Sequence, residues 1–186
     1  PDVEVLFGIT AASFGLVVAV AGGVHQLGQF IDEGELDTLL TQPKPTLLYA
    51  LGMRSRASGF GDMVSGVAFL AISGHLTLAT APLIALLIVS SSTTFLACGI
   101  VYFSLPFWIG RTETVSRQLW ELLITFSLYP EPLFGGTLRL MLFTVLPAGF
   151  VSYLPVHIVR EPSVAAVAMV LAGSASYLAL AVWVFG

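Results

Sequence analysis

Charge drops out of this chain for long stretches. No Asp, Glu, Lys or Arg occurs in residues 5–31, 63–110, 140–159 or 163–186, runs of 27, 48, 20 and 24 residues. A helix rising 1.5 Å per residue needs roughly 20 apolar residues to cross the hydrocarbon core. The first and last runs therefore predict one span each. The 48-residue run predicts two, joined by a tight turn at Ala79-Thr80-Ala81-Pro82. Backbone exposed to lipid must satisfy its own hydrogen bonds, so these spans should be helices and not open strands.

Between the second and last of these long runs the pattern is less regular. Residues 116–129 begin polar, and Glu113–Arg117 and Arg117–Glu121 are i,i+4 pairs suited to a helix that starts at the interface. Residues 140–159 are apolar but contain Pro147 and Pro155. If 116–129 crosses, the second segment must enter and leave from the outer face as a proline-broken, re-entrant hairpin. Such breaks are tolerated at membrane depth where protein or a water-filled cavity covers them. The expected fold class is an all-α, polytopic helical membrane protein with about five transmembrane helices.

Small and hydroxylic residues add detail. Ala11, Gly15, Ala19 and Gly23 recur every four positions, a flat stripe that lets helices approach closely in lipid. It serves either a subunit seam or packing within the chain, and the latter is expected. Ser90-Ser91-Ser92-Thr93-Thr94 falls near the middle of a span, where hydroxyls bond back to their own helix. Ordinary packing is one reading. The other is a polar wall of a translocation route, with Ser91, Ser92 and Thr94 on it and Arg139 at the mouth of the broken segment.

Composition agrees with the pattern. Of 186 residues, 56% are hydrophobic and 10% charged, against about 25% charged in soluble domains, and mean hydropathy is +0.94. The formal charge of −4 gives no reason to expect a nucleic-acid partner. Cys98 is the single cysteine, which excludes an internal disulfide and a multi-cysteine metal site. The chain starts at Pro1 without a methionine and stops directly after a span. It is expected to be a single transmembrane domain over 1–186 that lacks its first span and part of its C-terminus.

Five of the seven basic residues form two clusters separated by two spans: Lys44, Arg54 and Arg56, then Arg111 and Arg117. Basic residues in short loops stay on the cytoplasmic side, and carboxylates influence orientation little. That side therefore also holds Asp32, Glu33, Glu35 and Asp37, while Asp2, Glu4 and the turn near Pro82 fall outside. Leu36, Leu39 and Leu40 give this acidic segment one narrow apolar face, and Pro43 and Pro45 forbid its continuation. It is either a solvated connector resting on the membrane or a docking element for a soluble partner.

The stretch GELDTLLTQP resembles a segment of the membrane subunits of type-2, exporter-like ATP-binding-cassette (ABC) transporters. LYPEPLF followed by LRLMLFTVLPAGFVSYLP is similar to the late segment of a permease branch with roughly six spans. The likeness runs from about Phe30 to Pro155. It departs at Glu33, where a small polar residue is expected, and in the missing first span. The resemblance implies that Gly34, Glu35, Leu36, Asp37, Leu39 and Leu40 form a cytoplasmic coupling helix seated on a separate ATP-binding subunit. It also implies a second permease subunit, either an identical copy or a paralogue, facing this one across the translocation route. The implied location is a bacterial-type plasma membrane.

Little chemistry is visible in the chain itself. Lys44 is the sole lysine and sits between two prolines, so no phosphate-binding loop is present. His25, His75 and His157 lie far apart in sequence and form no H-E-x-x-H pattern. They read as interface histidines satisfied by a carbonyl or water. No metal, cofactor or catalytic group is expected, and any ATP is hydrolysed elsewhere. The rival readings are a structural or assembly membrane protein without transport activity, and a membrane enzyme whose polar groups converge at one depth.

Overall fold

The computed structural model describes residues 2–32, 34, 46–52, 55–110, 113–130 and 136–186, and among these it is helical with no strand. Helix α1 (Asp2–Ala21), a 3-10 stretch (Gly22–Gln26) and α2 (Leu27–Asp32) together make the first apolar span. After the acidic segment come α3 (Thr46–Gly52) and α4 (Ser58–Ile72), then α5 (Ala81–Phe103) and the short α6 (Pro106–Ile109). Helix α7 (Glu113–Leu128) precedes a broken segment of α8 (Gly136–Thr144), a π-helical turn (Gly149–Tyr153) and α9 (Leu154–Arg160). The last helix is α10 (Val164–Phe185).

Among the described residues three continuous helical units are long and apolar enough to cross a membrane: Val3–Phe30, Ala81–Ile109 and Val164–Phe185. A fourth is available if α8 and α9, bent by 77°, are taken as one broken span. The chain is thus a helical membrane protein. Helix α4 is apolar but has only 15 residues, a length of roughly 22 Å. The sequence placed the connection between the two central spans at residues 79–82; it occupies residues 73–80 instead. Ser73, His75, Thr77 and Thr80 build that turn from their own hydrogen bonds. The Thr80 hydroxyl donates to the His75 carbonyl at 2.5 Å, and the Thr77 and Thr80 hydroxyls lie 3.0 Å apart. Apolarity alone gave no signal for this polar clasp. Pro82 opens α5, where its missing N–H costs nothing.

Helices α1 and α4 form an antiparallel pair, and glycine sets their spacing. A Cβ on Gly59 would lie 2.4 Å from the Gly15 carbonyl oxygen, and one on Gly15 would lie 2.5 Å from that of Gly59. Two turns further along α4, a Cβ on Gly66 would meet the Ala12 amide at 2.5 Å. At the other end of the seam a Cβ on Gly23 would meet the Ala50 carbonyl of α3. The small-residue stripe is therefore an intramolecular seam. Its register is corrected at one position: Ala12, not Ala11, faces α4 beside Gly15 and Ala19. A right-handed helix drifts off a strict four-residue repeat, so i, i+3, i+7 tracks the partner better.

Two apolar clusters fill the bundle. An outer one joins Val5 and Ile9 of α1 to Leu70, Ile84, Leu87, Ile158 and Val170. A larger one runs inward through Val24, Leu27, Phe95, Ile100, Phe103, Trp120 and Leu123. The Ser90, Ser92 and Thr94 hydroxyls stitch helices together between them. The Ser174 hydroxyl of α10 lies 2.7 Å from that of Ser90 and 2.9 Å from that of Thr94. Ser92 donates to the Ile88 and Ser13 carbonyls, at 2.7 and 3.1 Å.

Tyrosine hydroxyls replace the donors that proline lacks. Pro147 has no N–H for the Phe143 carbonyl, and the Tyr177 hydroxyl from α10 reaches it at 2.9 Å, with the Thr144 carbonyl at 3.1 Å. Tyr102 of α5 donates to Val145 at 2.7 Å. The Tyr153 hydroxyl likewise donates to the Phe126 carbonyl of α7, four residues before Pro130, at 2.6 Å. Backbone carbonyls at membrane depth need a donor from the protein, and these hydroxyls supply one. The break is therefore present at Pro147, where Tyr102 of α5 and Tyr177 of α10 bond the carbonyls around it, while Pro155, also expected to interrupt the segment, lies within the continuous helical stretch Gly149–Arg160.

Candidate functional site

The sequence placed its main site in the acidic segment. Gly34 is exposed with a φ of +72°, a left-handed conformation natural to glycine, so the chain turns sharply just past α2. Glu35, Leu36, Asp37, Leu39 and Leu40 lie outside the described residues. What leads into and out of the segment is described. The four last carbonyls of α1, Val18 to Ala21, have no regular partner within their helix. The Val18 carbonyl accepts from the Arg56 amide at 3.1 Å, and the Val20 carbonyl from the Ser55 hydroxyl at 3.0 Å. With α3 packed on Gly23, the chain leaves and returns at one tightly held node beside the break in the first span. Ala50 and Leu51 are buried there with Val24, Leu27 and Phe30.

Beside this node is a cavity of about 500 Å³ where ends of α1, α2, α4, α5 and α7 meet. Its aromatic wall is Phe14, Phe103 and Trp120. The His25 ring meets the Trp120 ring edge-on, with centroids 4.9 Å apart and planes at 89°. Phe14, Phe95 and Phe103 pack around the same indole at 6.2, 5.9 and 6.1 Å. Such rings each add about 0.5–1.5 kcal/mol beyond area burial, so the wall is rigid. The polar wall comprises Gln26, Gln29, Arg56, Asp62, Glu113, Arg117 and Glu121.

Within that wall Arg117 bonds Glu113 at 2.5 Å, one turn apart on α7. Both side chains are about half exposed or more, so the pair is worth at most about 1 kcal/mol. The Oε1 of Gln26 is buried without a hydrogen-bond partner. An unmet buried acceptor costs roughly 1–3 kcal/mol, which sets it apart from the satisfied polar groups around it. Sequence reasoning missed this cavity. A usable signal existed: Arg56, Asp62 and the Glu113–Arg117–Glu121 face all sit at helix ends assigned to one side of the membrane.

The remaining sequence-derived candidates fall elsewhere. Ser91, Ser92 and Thr94 are buried in the α5 packing, and Ser91 has no hydrogen-bond partner for its hydroxyl. Arg139 stands in α8, away in sequence from that patch. Structure does not bring the histidines together. His25 Nδ1 lies 3.4 Å from the Gly22 carbonyl, His75 Nδ1 lies 3.1 Å from the Ser73 carbonyl, and His157 is 4.0 Å from Glu161. Among the described residues no group of three His, Cys, Asp or Glu could hold a metal ion.

Comparison with protein families gives one result: the model described as ABC-2 family transporter protein matches residues 1–186. No curated protein and no solved structure matches the chain.

Proposed function

The chain belongs to the ABC-2 family of transporter proteins, and from that membership we propose that it is the subunit through which a separate cytoplasmic ATPase drives export. The family supplies the coarser part: a multi-pass permease subunit of an ABC transporter, with an ATP-binding partner and no catalysis of its own. The finer part is how force enters. In this reading Gly34, Glu35, Leu36, Asp37, Leu39 and Leu40 form the coupling helix, and Leu36 and Leu39 seat it on the ATPase. A second permease subunit, identical or paralogous, completes the route. The assembly sits in a bacterial-type plasma membrane, with the broken α8–α9 segment re-entrant from the outer face. Ser91, Ser92, Thr94 and Arg139 remain candidates for the route itself.

One observation carries the proposal. The described chain on either side of the acidic segment meets at the node formed by Gly23, Ala50 and the Val18 and Val20 carbonyls. In this reading a push that enters between α2 and α3 is delivered to the break in the first span and to α4. Interiors and seams packed this closely transmit strain. The test is co-purification with the ATPase subunit. Leu36→Asp or Leu39→Asp should leave membrane insertion intact and abolish ATPase association. Undiminished association would overturn the coupling assignment.

A further inference from the structure

Helix α7 turns two unlike faces to its surroundings. Ser116, Trp120, Leu123 and Ser127 form its buried stripe. Thr114, Gln118, Glu121 and Thr125 recur at i, i+4, i+7 and i+11 on the opposite side, and all four are exposed. Val115 and Leu122, also exposed, stand at the edge of that face. The outward face is thus polar along its centre for roughly 16 Å. Contacts with α1 fix the depth of α7. The Thr10 hydroxyl donates to the Ser127 carbonyl at 3.2 Å, and Phe14 packs on Trp120 with ring centroids 6.2 Å apart. Thr10 and Phe14 lie roughly 10 and 16 Å along the first span from Val3, inside a hydrocarbon core about 30 Å thick. Glu121 and Thr125 share those turns of α7.

A carboxylate at that depth is costly against lipid, and ionisable side chains within membranes face a bundle interior or a water-filled cavity. Other outward faces of the chain are suited to acyl chains. Val64, Val67 and Ile72 on α4 and Met169, Leu171 and Val182 on α10 are exposed and apolar. The exposed hydroxyls among them, Ser65 and Ser176, bond back to carbonyls of their own helices at 2.8 Å each. We infer that the outward face of α7 is one wall of a water-filled translocation route for a hydrophilic solute, closed by the same face of a second copy of this chain. A two-fold axis brings the same patch of both copies together, so one polar face per chain is enough to enclose water. A route for an apolar solute would have no use for an amide, a carboxylate and two threonine hydroxyls in line. The inference deepens the transport reading by naming the wall and the substrate class, and it rests on that reading for its purpose.

Cysteine scanning reads this directly. Cys98 is the single cysteine and is buried, so Cys98→Ala gives a thiol-free background. In the whole transporter, in membrane fragments open on both sides, Thr114→Cys, Gln118→Cys, Glu121→Cys and Thr125→Cys are compared with Val64→Cys on α4 and Met169→Cys on α10. A charged, water-borne methanethiosulfonate attacks thiolate, which forms in water and not in lipid. It should modify all four α7 positions about tenfold or more faster than the two controls. A bis-methanethiosulfonate linker should join Thr125→Cys to its counterpart as a dimer on a denaturing gel, and should not join Met169→Cys. All six positions are exposed, so the substitutions leave the packing intact and a lost signal is read on a folded protein. Stripe positions as slow as the controls would show that lipid or protein covers the face. Fast labelling without a dimer would show a wetted face that no second copy closes. Either result overturns the inference and leaves ATPase docking untouched. Failed docking with a labelled, cross-linked stripe would sink only the coupling assignment.

Discussion

Gly59 and Gly61 stand two residues apart on α4, and replacing each with alanine should move stability in opposite directions. A Cβ at Gly61 meets nothing within 4 Å, whereas one at Gly59 would sit 2.4 Å from the Gly15 carbonyl oxygen and 2.6 Å from the Ala19 amide. Both contacts are with backbone, which has no rotamer to yield. To reach ordinary contact at 3.5 Å or so, the α1 and α4 axes must part by about 1 Å. A gap of that size forfeits a quarter to a half of each dispersion contact along the seam. Overpacking of this kind costs about 1–3 kcal/mol. Against it stands the helix preference of alanine over glycine, at most about 1 kcal/mol. Gly59→Ala should therefore destabilise the protein by about 1–2 kcal/mol, and Gly61→Ala should stabilise it by up to about 1 kcal/mol. Unfolding in mixed micelles of rising denaturing-detergent fraction, followed by far-ultraviolet circular dichroism, reads both. Two shifts of the same sign would refute the seam.

The proline–tyrosine pairs make a second prediction. Tyr177→Phe or Tyr153→Phe leaves a helix carbonyl without a donor at a proline break, and each should cost about 1 kcal/mol, nearer the average for membrane hydrogen bonds than their maximum. Hydrogen exchange should rise locally, at residues 143–149 for the first and 126–128 for the second. An unchanged exchange profile would show that the hydroxyls are not the replacement donors. Ser174→Ala removes the shared partner of Ser90 and Thr94 and should lower stability by about 0.5–1.5 kcal/mol. Ser91→Ala should be neutral or slightly stabilising, because its buried hydroxyl has no partner to lose. Equal costs for the two serine variants in the same unfolding assay would contradict the assigned bonding.

Hydropathy by itself determined the class, while of the five crossings expected three helices, or four with the bent pair, are long and apolar enough among the described residues. Long uncharged runs have no stable place in water, and a lipid-exposed backbone has only the helix to satisfy it. Pro147 likewise announced the break, because proline removes a donor wherever it stands, whereas Pro155 stands in the first turn of α9 and interrupts nothing. The motif GELDTLLTQP, together with the late proline-rich segment, pointed to the permease family that matches the whole chain. Interhelical register was another matter. Whether Ala11 or Ala12 meets α4 depends on a rotation of tens of degrees, which a repeat of small residues does not specify. Nor does local sequence say which hydroxyl serves which carbonyl. Tyr177 is 30 residues from Pro147, and only the fold brings them together. The inner cavity is the clearest case: Gln26, Asp62, Trp120 and Glu121 are each unremarkable in their own helices. They line one cavity because the ends of five helices converge around it, and convergence is a property of packing in three dimensions.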